Sequence, residues 1–206
     1  MSNRGNIIVI SAPSGSGKTS LTDRVLKEVS DLKFSVSHTT RKPRRGERDG
    51  AEYFFVSEKE FQVMMERDSF LEFAYVHGNL YGTSRAFVDA QLAAGNDVIL
   101  DIDVQGAMKI KEKNPEAVLI FVLPPSLEVL EARLKGRGSD DESVIDRRLQ
   151  IAKEELKYYR NYQYVIINRE IEESLGELKS IIIAARCGLI RQTGRAEEII
   201  KTFKGS

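Results

Sequence analysis

Lys18 and Thr19 close the stretch Ala12-Pro13-Ser14-Gly15-Ser16-Gly17-Lys18-Thr19. Glycines at this spacing let successive backbone N–H groups turn inward on an anion, and the helix that this stretch opens adds the partial positive charge of its amino terminus. Lys18 then reaches the terminal phosphates of a nucleoside triphosphate, while the Thr19 hydroxyl ligates Mg²⁺. Only the first position departs from G-x-x-x-x-G-K-[ST], with Ala12 in place of Gly. A flexible strand-to-helix turn is the plainer alternative, and it does not require glycines, Lys and Thr to coincide.

The metal needs an acid. Val98-Ile99-Leu100-Asp101 is an apolar run ending in a carboxylate, which puts Asp101 at the carboxyl edge of a parallel sheet, where it supports Mg²⁺ mostly through water. Asp103, two residues on, is read equally well as a ligand or as the cap of a helix starting near Val104. From Arg41 to Asp49 five positive residues meet two negative ones, a local +3 in a chain whose 31 Lys+Arg balance 31 Asp+Glu. Pro43, Gly46 and Gly50 break any helix there. The arginines therefore project from a turn and can converge on one compact dianion, which the planar guanidinium fork suits, although a solvated charge run has the same composition. Arg133 and Arg137 lie four apart on one helix face, and Arg148 sits beside the apolar stripe Ile145, Leu149, Ala152, Leu156, Tyr159. Singly each arginine reads as a surface ion pair; as a trio around the turn Gly136 to Asp141 they read as a clamp for charge.

Those groups require a scaffold that brings distant segments together. Asn6 to Ser11, Val98 to Leu100, Val118 to Leu123 and Tyr164 to Ile167 are short, nearly continuous apolar runs separated by helical spacing. That is the signature of an α/β fold with a parallel sheet covered on both faces. Ser57 with Glu60 forms a capping box, and Ser84 and Ser126 stand where helices begin. Between Phe34 and Tyr81 the texture changes: Phe34 to Ser37, Tyr53 to Val56 and Leu71 to Val76 predict strands of an inserted subdomain. Ile171, Leu175, Leu178, Ile182, Ala185 and Leu189 predict one long helix. Core packing is the first reading of its stripe and a homo-oligomer the second.

Composition sets the outer limits. A chain of 206 residues, 41% hydrophobic and 30% charged, fits one globular domain with an insert. Zero net charge disfavours nucleic acid or an anionic membrane as partner through a global field. The longest apolar run, Ala117 to Leu123, is far short of the roughly twenty residues of a membrane helix, and Ile7 to Ile10 is too short for a signal sequence. A cytoplasmic protein is expected. Two His and one Cys cannot assemble a structural zinc site; His38 and His77 are read as packing or surface residues and Cys187 as a small residue packing a helix.

Taken in order, Ser11 to Lys18, Ser37 to Tyr53, Tyr81-Gly82-Thr83, Asp101-Ile102-Asp103-Val104-Gln105-Gly106, Pro124-Pro125-Ser126 and Arg133 to Gly138 resemble the guanylate kinase family over most of residues 6 to 168. The resemblance implies a P-loop nucleoside monophosphate kinase fold in a single domain. Its core would comprise residues 1–36, 86–126 and 157–206, with a GMP-binding subdomain at about 37–85 and a lid at about 127–156. It implies ATP and GMP as substrates, with dGMP accepted, and Mg²⁺ as cofactor. ATP would be held by Ser14, Gly15, Ser16, Gly17, Lys18, Thr19, Ser20, Arg133 and Arg137, with Asn168 near the adenine. Arg41, Arg44, Tyr53 and Tyr81 would hold the GMP phosphate, and Ser37, Glu72, Thr83 and Asp103 would surround the guanine. Lys18, Arg41, Arg137 and Arg148 would carry catalysis.

An ionised Glu72 would accept both N1–H and N2–H₂ of guanine while Thr83 donates to O6; the rival reading is an exposed strand acid paired with a lysine. No general base is needed, because the attacking phosphate oxygen of GMP is already ionised near neutral pH. Two other functions are compatible with parts of the chain. A GTP hydrolase would not need the arginine-rich turn, and a kinase-like protein-interaction module would not need an intact phosphate loop.

Overall fold

The computed structural model describes residues 4–76, 78–136 and 142–204. β1 (Ile7–Ser11) leads through the phosphate loop into α1 (Lys18–Glu28) and back to β2 (Leu32–Phe34). The chain then builds β3 (His38–Thr39), β4 (Phe54–Phe55), α2 (Glu58–Glu66), β5 (Phe70–Val76) and β6 (Asn79–Ser84). It returns through α3 (Arg85–Ala93), β7 (Asp97–Asp101), α4 (Val104–Lys113) and β8 (Val118–Leu123). After α5 (Leu127–Lys135), α6 (Glu142–Leu156) and a 3-10 turn (Lys157–Asn161) come β9 (Tyr164–Ile167), α7 (Ile171–Arg186) and α8 (Leu189–Lys204).

Five strands form a wholly parallel sheet in the order β2-β7-β1-β8-β9. Alternate residues of these strands point to opposite faces. Ile8, Ile10, Ile99, Ile120 and Ile166 pack under Leu21 and Val25 of α1 and Leu175, Leu178 and Ile182 of α7. Val9, Val98, Leu100, Leu119 and Phe121 pack under Val88 and Leu92 of α3 and Ala107 and Ile110 of α4. The central strands are covered on both faces, so Ile7 to Ile10, Val98 to Leu100 and Leu119 to Val122 are apolar without a break, whereas the edge strand β9 leaves Val165 and Ile167 exposed. A separate cluster of Leu130, Leu134, Ile145, Leu149 and Ala152 joins α5 to α6.

The other sheet, β4-β3-β6-β5, is mixed and smaller. Two readings of the sequence change here. The strand expected over Phe34 to Ser37 is placed earlier, as Leu32–Phe34, and pairs with β7 inside the parallel sheet. β6 was not foreseen, because Gly82 and flanking polar residues hide its alternation. Gly82 is needed there: a Cβ would stand 2.7 Å from the Phe70 ring, which stacks on Phe61 with centroids 4.5 Å apart. The capping box is present, with Glu60 N donating to Ser57 Oγ at 3.2 Å and Ser57 N to the Glu60 carboxylate at 2.8 Å.

The single terminal helix is also corrected. It breaks at Cys187-Gly188, so the last fully buried residue of the stripe is Ile182, Leu189 is 81% exposed, and Cys187 lies exposed instead of packing. α8 is tied back through Asp97, which is buried at the start of β7. Its carboxylate accepts from Asn6 N at 2.7 Å and Arg186 Nε at 2.6 Å, with Arg191 Nη2 at 3.5 Å. His77 and Arg137 lie outside the described residues. Among those described, no helix is long and apolar enough to cross a membrane.

Candidate active site

β1 delivers the loop to the carboxyl edge of the parallel sheet, where Ser11 Oγ donates to the Ile102 carbonyl at 2.8 Å and binds the ends of β1 and β7 together. Gly15 (φ 93°) and Gly17 (φ 87°) adopt the left-handed conformation that the tight turn demands. Gly17 occupies the N-cap of α1, and among the described residues no side-chain cap hydrogen bond closes the start of the helix. The first amides of α1 remain available to an anion.

The loop forms one wall of a cavity of about 340 Å³. Residues 12–20 meet Ser37, Tyr53, Glu72, Tyr81, Asp101 and Asp103 across it, together with Glu155. Lys18 Nζ forms an ion pair with Asp101, both side chains being one-fifth exposed. Thr19 and Ser20 are exposed at the mouth. Asp103 serves as a cap, its Oδ1 accepting from Gly106 N at 2.9 Å, while also facing the cavity.

Glu72 is only 4% exposed and is no surface acid. It sits opposite Thr83 in the β5–β6 pair, and Thr83 Oγ1 donates to Glu72 Oε1 at 2.6 Å. The hydroxyl expected at guanine O6 is thus occupied in holding the acid. Glu72 Oε2 lies 2.7 Å from where a Cβ on Gly106 would stand, so α4 approaches the carboxylate at its one residue without a side chain. Burial raises the Glu72 carboxyl to about 7, against the Thr83 bond that lowers it.

The rings of Tyr53 and Tyr81 meet edge to face at 5.7 Å, and the Arg41 guanidinium lies 5.3 Å from the Tyr53 centroid. Burial, then the Asp101 charge, pushes the Tyr53 hydroxyl up to about 12. Arg41 Nη2 pairs with Glu47 at 2.8 Å, and Glu47 also accepts from Arg44 N at 2.7 Å. The Arg44 side chain is exposed and, like that of Arg41, does not line the cavity.

Two arginines, one on α5 and one on α6, reach the loop's surroundings. Arg148 Nη2 donates to Ser14 Oγ at 2.7 Å, and Arg133 Nη2 to the Asn168 carbonyl at 3.2 Å. Asn168 is 3% exposed, and its side-chain amide donates to the Ser16 carbonyl at 2.7 Å. Glu155 on α6 escaped the sequence reading, since it is one acid in a charged segment. Burial lifts its carboxyl to about 7 while Lys18 across the cavity lowers it.

A guanylate kinase family model matches residues 4–185. The guanylate kinase of Caldanaerobacter subterraneus is 50% identical over 188 residues, 91% of each chain. That of Hahella chejuensis is 50% identical over 203 residues, 98% of each chain. The crystal structure of guanylate kinase from Anaplasma phagocytophilum superposes with a TM-score of 0.83 at 33% identity, covering 98% of this chain and 97% of that one. Agreement of this extent, over a fold that opens a phosphate loop onto a pocket with a buried acid, places the chain in the guanylate kinase family, P-loop kinases that phosphorylate GMP to GDP with ATP.

Proposed function

We propose that ATP lies with its phosphates on Ser14 to Ser20 and that GMP spans the cavity from Tyr53 and Tyr81 to Glu72. One observation carries this reading: the uncapped α1 terminus and the buried Glu72 carboxylate open into the same cavity. GMP places an anionic phosphate and a base with two adjacent donors at opposite ends, and dGMP shares both features. Tyr53 and Tyr81 hold the acceptor phosphate, joined by Arg41 and Arg44 when the turn folds inward from Glu47. Ser37 and Asp103 stand with Glu72 around the base, and Thr83 keeps Glu72 in place.

Oxygen donors suit a hard divalent cation, and the Thr19 hydroxyl and Asp101 carboxylate fit Mg²⁺ bound with ATP, Asp101 through water. Mg²⁺ held there neutralises charge on the phosphate oxygens. The chain's own work is positioning and charge stabilisation. Lys18 leaves Asp101 for the transferring phosphoryl group, Arg148 leaves Ser14, and the buried Arg133 Nη1, which bonds no described group, gains a phosphate. Arg137 belongs with these two in the proposal. The mixed sheet acts as the GMP-binding subdomain and α5 with α6 as the lid, closing over both nucleotides to exclude water. A cytoplasmic setting accords with these substrates and with the unpaired Cys187.

A coupled assay of ADP formation with Mg²⁺ and GMP, dGMP, AMP, UMP or CMP tests the reading. GMP and dGMP should exceed AMP by roughly 10⁴ in kcat/KM if matched buried hydrogen bonds select the base. Equal turnover of AMP would overturn it.

A further inference from the structure

Asn168 stands just beyond β9, its backbone N–H bonded to the Leu123 carbonyl at 2.8 Å and thereby fixed to the end of β8. Its side-chain amide enters the loop and holds the Ser16 carbonyl, between the two left-handed glycines. A Cβ on Gly17 would stand 2.3 Å from that same Nδ2, so the amide fills the space a side chain would claim. On its other side the Asn168 carbonyl receives Arg133 of α5. The residue is buried, wedged between loop and lid helix, with its donor nitrogen directed into the protein.

We propose that Asn168 is a positioning residue for the phosphate loop, and that it acts on ATP through the loop instead of touching the adenine. In a trans peptide the C=O and N–H point opposite ways. Holding the Ser16 carbonyl outward therefore aims the Gly17 N–H of the same peptide inward, toward the phosphates. The Arg133 contact adds a link: the lid arginine and the loop are referenced to one residue, the arginine through the Asn168 backbone carbonyl and the loop through its side-chain amide. The inference rests on the reading that this loop carries the phosphates of ATP.

Inorganic tripolyphosphate with Mg²⁺ is the discriminating probe, because it has no base. Asn168→Ala is expected to weaken both ATP and tripolyphosphate by the same factor, about tenfold, and to lower kcat about tenfold, with KM for GMP within twofold of wild type. Calorimetric titration reads the first pair and the coupled assay the rest. Asn168→Ser, still small and polar, gives the same ratios should the alanine variant fail to fold. Weakening of ATP alone would restore the adenine contact and overturn the proposal, as would unchanged affinity for both. If the wild-type protein bound neither ATP nor tripolyphosphate, the assignment of the loop would fall first, a result distinguishable from failure at Asn168.

Discussion

A carboxylate as buried as Glu72 discriminates by what it cannot tolerate. At the proposed base site guanine would present two donors to it, whereas adenine would present a lone pair at N1 and leave the acid unmatched. Only the ionised form accepts both donors, and burial raises the carboxyl to about 7. KM for GMP is therefore expected to rise about tenfold per unit as pH falls below 7, with KM for ATP flat; a GMP profile level from pH 6 to 8 would contradict this. Stability runs the other way. The folded state keeps a proton that the unfolded chain releases between the ordinary value of 4.5 and about 7, so stability falls as pH rises through that window. Glu72→Gln removes the titration. That variant is expected to melt a few degrees above wild type at pH 8 by calorimetry, while losing about 10² in kcat/KM for GMP. Lys18→Ala, which leaves Asp101 without its partner, is expected to lower kcat by at least about 10² with an unchanged circular dichroism spectrum. Gly15, Gly17, Lys18 and Thr19 were legible because their meaning lies within eight consecutive residues. Thr83 as the partner of Glu72, Asn168 on Ser16 and Glu155 in the cavity were not, since each depends on tertiary proximity; the Asn168 bond spans 152 positions.

At the scale of elements, α4 meets β5 where Gly106 faces Glu72. Gly106→Ala would favour the helix by up to about 1 kcal/mol of propensity, yet its Cβ would force the carboxylate off Thr83. KM for GMP should rise about tenfold while the melting temperature stays within a few degrees; an unchanged KM would show that the carboxylate yields without loss. Asp97 gathers β1, β7, α7 and α8 on one buried carboxylate. Breaking such a pair by Asp97→Ala leaves Arg186 and Arg191 uncompensated, and chemical denaturation should register a loss of about 3–5 kcal/mol. Sequence signals were good where an element carried its own boundaries: Ser57, Ser84 and Ser126 cap helices where expected, at 3.2–3.3 Å from their amides. They misled where one pattern crossed a break, since Leu189 keeps the 3–4 spacing of α7 but follows Gly188 into a separate, exposed helix. β6 was illegible because the ring packing that requires Gly82 comes from Phe61 and Phe70.

For the whole molecule, the contact from Arg148 to Ser14 means that part of the proposed lid leans on the phosphate loop. ATP seated as proposed would displace it, so nucleotide binding would exchange one contact of the proposed lid for others. Distances from spin labels on exposed α2 and α6 positions should shorten with GMP plus an ATP analogue and change little with either alone. Superimposable distributions in all four states would sink the closure proposal. The two sheets also differ in how the chain joins them. The chain enters the mixed sheet on β3 and leaves it on β6, neighbouring antiparallel strands with Thr39 beside Tyr81. Everything between, including the pocket acid, is a loop hung between β2 and α3 of a parallel sheet that needs none of it for its own hydrogen bonds. If this insert holds the acceptor as proposed, acceptor choice is a cassette: the donor machinery can stay as it is while a different insert, spliced through the same two adjacent tethers, gives the fold a new substrate.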